Sequence, residues 1–540
     1  MSRSLRPLLS LAGVFLLATC GGGESTSPSG NAPTKLALAV QPTTVISGAA
    51  ITPAVQVTVQ DAQGNTVTGS TPSITLAITS GSGAAGAVLG GTLTRAAVNG
   101  VATFNDLTID KAGAGYSLTA TATSLTSATS SAFSVVTAKD VAVEPFLATP
   151  IAGAIWTVPV TVLAYLPTAD GVNIDVRRSP DFWVLGPLSL AAVEGWILDN
   201  VRRKKMSLEQ GSRFRGYSNP NSLPSIGIRV VSIRFVYDIV PASAIFKING
   251  IALPDYNRIV PEQGLDTLIN SAGVRQVWLS LSSLDAGFPS YDAAIHSAAD
   301  FRYLDESNMS SALTGDISNS YRLNDLPILT QPYIVYGINW RRSQAEAVHN
   351  VGHQLEAQYS FIARRQDGNT RLFWRQFVGQ NTSDQFITGR AGWTHMPPNT
   401  VVSYDYLNTT AVASDIQDWR PDNTGTKTNV SVSTWANQVH PWPGAANFSQ
   451  RTESQWYIYW FQSMPGRGNS IPHGTNWMTN WWAFTGDWHA AVQSNLGLYA
   501  GTPAASVGTG STAALRVVGP ETAAREAARW PVTEPRTRRP

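Results

Sequence analysis

The chain has 540 residues, one cysteine, 17 tryptophans, 14% charged residues and a net charge of +2. Its length accommodates roughly two to four domains, and a charged fraction far below the usual ~25% excludes a charge-rich surface. The near-neutral balance gives no electrostatic footprint for nucleic acid, and one cysteine excludes both an intrachain disulfide framework and a multi-cysteine zinc site.

The N-terminus reads MSRSLRPLLSLAGVFLLATCGGG. Arg3 and Arg6 precede a largely apolar run from Leu8 to Ala18, too short to cross a bilayer and suited to a signal-peptide core. It ends at Leu17-Ala18-Thr19-Cys20. This order resembles a bacterial lipoprotein signal, although Thr19 departs from the small Gly, Ala or Ser usual before the cysteine. The resemblance implies a signal peptide over residues 1–20, lipidation of Cys20, and an exported protein held at the outer membrane or cell surface by a lipid anchor. Residues 21–33 form a flexible Gly/Ser/Pro linker.

Residues 34–137 are rich in Ala, Val, Thr, Ser and Gly and contain no Cys, His or Trp. Alternating runs recur at Lys35–Val40, Ala54–Val59, Ser73–Ile78 and Tyr116–Ala122, separated by turn signals such as Gln63-Gly64-Asn65 and Asn99-Gly100. Period-two strands at this spacing predict a β-sandwich. The segments VQPTTVISGAAITPAVQVTVQDAQGNTV and AVNGVATFNDLTIDKAGAGYSLTATA resemble bacterial Ig-like surface domains. The resemblance implies a stalk or adhesion-type module. Three basic and three acidic residues, without clustering, leave it no chemistry.

All seven histidines and all tryptophans lie beyond Asp140. Residues 141–365 read as an α/β domain. Apolar strands are expected at 158–165, 231–239, 274–281 and 333–338. Amphipathic helices are expected at 188–209 and 343–364, with a short one ending at Gly273. This alternation predicts a largely parallel sheet with helices packed on it. Sites in such sheets lie beyond the carboxyl ends of the strands.

The 343–364 helix carries the sharpest signal. Glu346, His349, His353 and Glu356 are spaced by 3, 4 and 3 residues. At 3.6 residues per turn they share one face. Two imidazoles at i and i+4 can bind one divalent metal such as zinc, and a carboxylate one turn on can ligate it or fix an imidazole from behind. Asn350 follows His349, so the glutamate base of the HExxH proteases is absent. Structural duties compete: Ser343-x-x-Glu346 also fits a capping box. Gly352 costs helix stability and can admit a close neighbour.

His395, in Gly392-Trp-Thr-His-Met-Pro-Pro-Asn399, is a candidate third ligand presented by a rigid loop. Glu306 is a candidate base alongside Glu346. Residues 366–500 hold 11 tryptophans among Asn, Gly, Pro, Ser and Thr, and form a Trp-rich irregular lobe of the same unit. Trp393, Tyr404, Asp405, Trp481 and Trp482 are candidate substrate contacts, since flat rings and amides suit sugars. The competing expectation is that most of these rings are core. Residues 503–540 are a disordered tail.

The leading expectation is a surface-tethered, metal-dependent hydrolase. His349, His353 and either Glu356 or His395 would hold the metal, and Glu346 or Glu306 would activate water. Two alternatives stand beside it. One is a glycan-binding or glycoside-active protein that uses carboxylates and an aromatic cleft without metal. The other is a non-catalytic adhesion protein. The substrate expected for the first two is an extracellular glycan or peptide. No G-x-S-x-G elbow, P-loop or dinucleotide fingerprint in a strand–helix context is present.

Overall fold

A computed structural model describes residues 32–43, 45–168, 172–175, 188–248, 251–281, 305–318, 322, 324–339, 344–436 and 452–500. Cys20, the signal segment and the C-terminal tail lie outside the described residues. So does the side chain of Glu346, whose backbone is helical. Among the described residues no helix is long and apolar enough to cross a membrane. The described residues form two compact bodies, 32–43 with 51–134 and 45–50 with the described residues from 135 onward.

The first body is all β. Lys35–Val40 pairs antiparallel with Val55–Gln60, which pairs with Val101–Phe104. A second sheet runs in the order Ala128–Thr129, Leu118–Thr121, Ser73–Ile78, Thr94–Ala96. Alternation sends Val55, Val57, Val59, Ile74, Leu76, Leu118 and Ala120 inward, where all are buried. The turn signals act as read from sequence. Asn99 and Gly100 both take positive φ (51° and 75°) between the bridged residues Val98 and Val101, the backbone a two-residue hairpin needs.

The second body centres on a six-stranded sheet. Its strands are β1 (Ala138–Val141), β2 (Trp156–Tyr165), β3 (Ile226–Val236), β4 (Gln276–Leu281), β5 (Asp305–Ser310) and β6 (Tyr333–Asn339), in the order β1-β3-β2-β4-β6-β5. The four central strands are parallel and the two edges antiparallel. Central strands buried on both faces are mostly apolar, as in VTVLAY and QVWLSL, with Thr161, Gln276 and Ser280 the buried polar exceptions.

Helix α1 (Leu190–Gly211), capped by Ser189 accepting from the Ala192 amide at 3.2 Å, covers one face together with α4 (Gln344–Asp367) and α5 (Thr452–Ser463). The short helices α2 (Tyr256–Glu262) and α3 (Leu265–Ser271) cover the other. Helix α4 is anchored twice. Val348, Val351, Leu355, Tyr359 and Ile362 enter the core at helical spacing. Asn350, Gln354 and Gln358, one turn apart, donate to the carbonyls of Gly337 (2.8 Å), Ile317 (2.9 Å) and Phe484 (3.0 Å). These bonds fix the helix's rotation, and so which face it turns to the remaining chain.

The Trp-rich segment is not a separate lobe. One continuous apolar cluster runs from Val158 on the sheet to Trp481, Trp482 and Leu498. Trp419, Trp435, Trp456, Trp460, Trp481 and Trp482 are all fully buried. The loss of simple periodicity in 366–500 reflects short elements that pack from many directions.

Candidate metal centre

Helix α4 presents His349, His353 and Glu356 on the face beside its buried amide stripe. The segment 392–396 closes over that face as a tight turn. Gly392 has φ +71°, and a Cβ there would lie 2.4 Å from the Met396 carbonyl, so only glycine fits. Trp393 and Met396 exchange both backbone bonds at 3.0 and 3.1 Å, and Trp460 Nε1 donates to the Gly392 carbonyl at 3.1 Å. Gly392 and Ala391 amides donate to Val378 and Phe377. The turn is therefore pinned on three sides, and it delivers His395 to α4.

Three ring nitrogens meet there. His353 Nε2 lies 3.1 Å from His349 Nε2 and 2.9 Å from His395 Nε2. The ligand atoms of all three histidines lie within 4.8 Å of one another. Two ligands about 2.0–2.1 Å from a tetrahedral ion are about 3.3 Å apart, so the spacing is close to that of a ligand set. The rings of His349 and His395 are near-parallel with centroids 5.0 Å apart, and that of His353 stands edge-on to both.

Glu356 sets the chemistry of the middle ring. His353 Nδ1 donates to Glu356 Oε2 at 2.8 Å. A carboxylate only accepts, so the proton sits on Nδ1 and the Nε2 lone pair is exposed to the other two rings. One lone pair cannot accept well from two ring N–H groups. A cation bound to all three nitrogens satisfies them together. The other oxygen, Oε1, accepts from the Thr394 amide at 3.2 Å and from the Thr394 hydroxyl. Glu356 thus orients one imidazole and holds the turn that carries another, the supporting role the sequence offered as its alternative to direct ligation.

Burial, with the nearby His353 adding to it, pushes the His395 imidazole well below its usual range. It therefore stays neutral, the form that binds metal, further into acid than a solvated histidine.

The cage has aromatic walls. Trp393, buried and stacked on Phe386, lies 4.4 Å from the His395 ring by centroids. Tyr457 of α5 lies 5.6 Å from His349, and its hydroxyl meets that of Tyr406 at 2.8 Å. Tyr406 in turn donates to the Thr394 carbonyl at 3.1 Å. Tyr404 faces the site from the solvent side, its hydroxyl 3.2 Å from His395 Nε2. Thr394 and Tyr457 were not singled out from sequence. Thr394 stands beside a flagged histidine, whereas Tyr457 offered no signal beyond an apolar helical run.

Other expected residues lie elsewhere. Glu306 is not at this centre. Strand β5 pairs antiparallel at the sheet edge, which turns Met309 toward α4 and Glu306 to the opposite face. There Glu306 accepts from Tyr256 and pairs with Arg322 at 2.5 Å. Asp405 accepts from Asn408 at 2.9 Å and stabilises the following turn. Trp481 and Trp482 are fully buried core rings rather than cleft walls.

Gly352 explains the closeness of helix and turn. A Cβ there would lie 2.7 Å from Thr394 Oγ1 and 3.1 Å from its Cγ2. In a free helix Gly→Ala gains about 1 kcal/mol. Here we expect Gly352→Ala to lose about 1–3 kcal/mol in urea unfolding, because a stiff, hydrogen-bonded threonine must move. A stabilised variant would show that the packing is slack.

No family model matches the chain, and no curated protein matches it. Among solved structures it is similar to a beta-glycosidase from Bacteroides vulgatus, at 16% identity over 20% of this chain and 15% of that one, TM-score 0.16. It is also similar to a glycosyl hydrolase family 2 member from Bacteroides cellulosilyticus, at 14% identity over 20% and 15%, TM-score 0.16. The chain thus spans about 15% of the length of each. Likenesses this slight carry no argument about the larger body or its chemistry, which rest on the geometry above.

Proposed function

We propose that the protein is an exported, surface-anchored, metal-dependent hydrolase acting on an extracellular glycan or peptide. The single observation that supports it is the meeting of His349, His353 and His395 through their ring nitrogens, with Glu356 behind His353. A zinc-like ion bound by three neutral imidazoles supplies Lewis-acid activation of water and of a carbonyl or similar centre. The chain's own residues do the rest. Glu356 keeps the His353 proton on Nδ1, Thr394 holds His395 in register, and Trp393 and Tyr457 limit water around the rings.

The aromatic-cleft reading has less to draw on at this site. Glu356 is engaged with His353 and Thr394, Glu306 lies across the sheet, and Trp481 and Trp482 are enclosed. Cys20 and its signal motif carry the anchoring part of the proposal.

The test is metal analysis of protein purified without chelator, followed by chelation and back-titration with zinc. About one equivalent of ion per chain is expected, with hydrolysis of a mixed peptide and glycan panel lost on chelation and restored by zinc. Protein that takes up no ion at micromolar zinc would overturn the proposal.

A further inference from the structure

Tyr404 stands apart from the other residues around the histidines. Its backbone takes φ +66°, a left-handed conformation costly for a bulky side chain. The conformation is held by its own amide, which donates to the His395 carbonyl at 2.7 Å. The effect is to fold the tyrosine back over His395, with ring centroids 4.4 Å apart. The hydroxyl then lies 3.2 Å from His395 Nε2, beside the two histidine–histidine separations of 2.9 and 3.1 Å. The phenol oxygen thus extends the histidine series by one more contact near the roughly 3.3 Å ligand–ligand edge of a tetrahedral site. The segment carrying the phenol is tied to the site through the Tyr404 amide and the buried Tyr406, and turns other side chains to solvent. Val401, Val402 and Leu407 expose 55%, 64% and 68% of their surface, and Tyr404 itself 38%.

Resting on the metal reading above, we propose that the Tyr404 phenol oxygen is the fourth donor of the centre, a cap that an incoming oxygen ligand displaces. Structural metal sites are closed by four protein ligands, whereas catalytic ones keep a position open. A displaceable phenol serves both conditions. It fills the fourth direction in the resting protein, and its solvent-side position lets the ring turn away about its side-chain torsions. Three histidines supply nitrogen from α4 and the 392–396 turn, and the tyrosine supplies oxygen from the solvent side.

The test uses the full-length protein loaded with copper(II), whose bond to a phenol oxygen gives a tyrosinate-to-copper charge-transfer band that imidazoles alone do not give. Wild type and Tyr404→Phe are compared for bound copper and for that band. The expected result is about one copper per chain in both, the band in wild type only, and a loss of affinity in Tyr404→Phe of at least roughly 10-fold. Acetohydroxamate, a small bidentate oxygen donor, is expected to abolish the band in wild type without removing the metal. Matching far-ultraviolet circular dichroism shows that Tyr404→Phe is folded, and Tyr404→Leu provides a second variant without the phenol. Equal metal content with no band in wild type, or a band that survives in Tyr404→Phe, overturns the tyrosine cap and leaves the three-histidine reading intact. Failure of wild type to bind any copper or zinc overturns both.

Discussion

Replacing His353 with alanine is expected to abolish metal binding at the centre, with affinity falling by more than ~100-fold in isothermal titration with zinc. His353 is the hub: its Nε2 is within 3.1 Å of both other ring nitrogens, and its Nδ1 donates to Glu356. Removing it takes away one donor and the partner that organises the carboxylate. Glu356→Gln separates the two effects. Glutamine is nearly isosteric, and its carbonyl can still accept from Nδ1, but the charge that favours this proton position is gone. Outer partners of this type cost about 10–100-fold in affinity, so Glu356→Gln should fall between wild type and His353→Ala. The order carries the argument. If Glu356→Gln were as damaging as His353→Ala, the carboxylate would be a direct ligand. If neither variant weakened binding, zinc would be bound elsewhere and the cluster would be structural.

This centre was largely legible from spacing, because a helix converts residue intervals directly into geometry. Glu346, His349, His353 and Glu356 at intervals of 3, 4 and 3 must share a face wherever the helix lies. Which face meets the rest of the chain is also written locally, in the Asn350, Gln354 and Gln358 stripe that binds backbone carbonyls, but that meaning appears only once the carbonyls are in place. His395 could be flagged because a Gly/Pro-rich loop presents side chains rigidly. Its arrival at α4 depends on Gly352 and Thr394 fitting against each other, a contact between segments some forty residues apart.

Glu306 shows what spacing does not carry. The run Asp305–Ser310, DESNMS, lacks the apolar character of a strand, yet it pairs with Tyr333–Ile338 of β6 as a buried edge. Antiparallel pairing decides which alternate residues face α4, and that choice puts Met309 there and Glu306 opposite. The central parallel strands were readable from mostly apolar runs and, for β3 with its Arg229 and Arg234, from the alternation of Val231, Ile233 and Phe235. The edge strands β1 and β5 were not, since the polar side chains of β5 are buried within the fold, where Glu306 pairs with Arg322 from outside the strand.

The same limit governs the tryptophans, and substituting two of them separates core from surface. Trp481→Ala is expected to destabilise the second body by about 3–5 kcal/mol in urea or thermal unfolding. Its ring is fully buried among Tyr359, Phe377 and Trp419 at centroid distances of 5.1, 5.3 and 6.0 Å, and its Nε1 donates to the Leu498 carbonyl at 2.9 Å. Truncation opens a cavity that neighbouring rings, each fixed by its own contacts, cannot fill, and it leaves the Leu498 carbonyl with only the Thr479 amide at 3.0 Å. Against a typical total of about 5–15 kcal/mol, the loss leaves a marginal fold. Trp477→Ala, at a position 56% exposed, is expected to change stability by less than about 0.5 kcal/mol. Composition alone assigns these two residues the same role, and sugar sites and aromatic cores draw on the same side chains. The contrast decides which applies: if Trp481→Ala melted like wild type while ligand binding fell, Trp481 would line a cleft after all. Loss of activity together with a lowered melting temperature marks it as the packing that supports α4 and, through α4, His349 and His353.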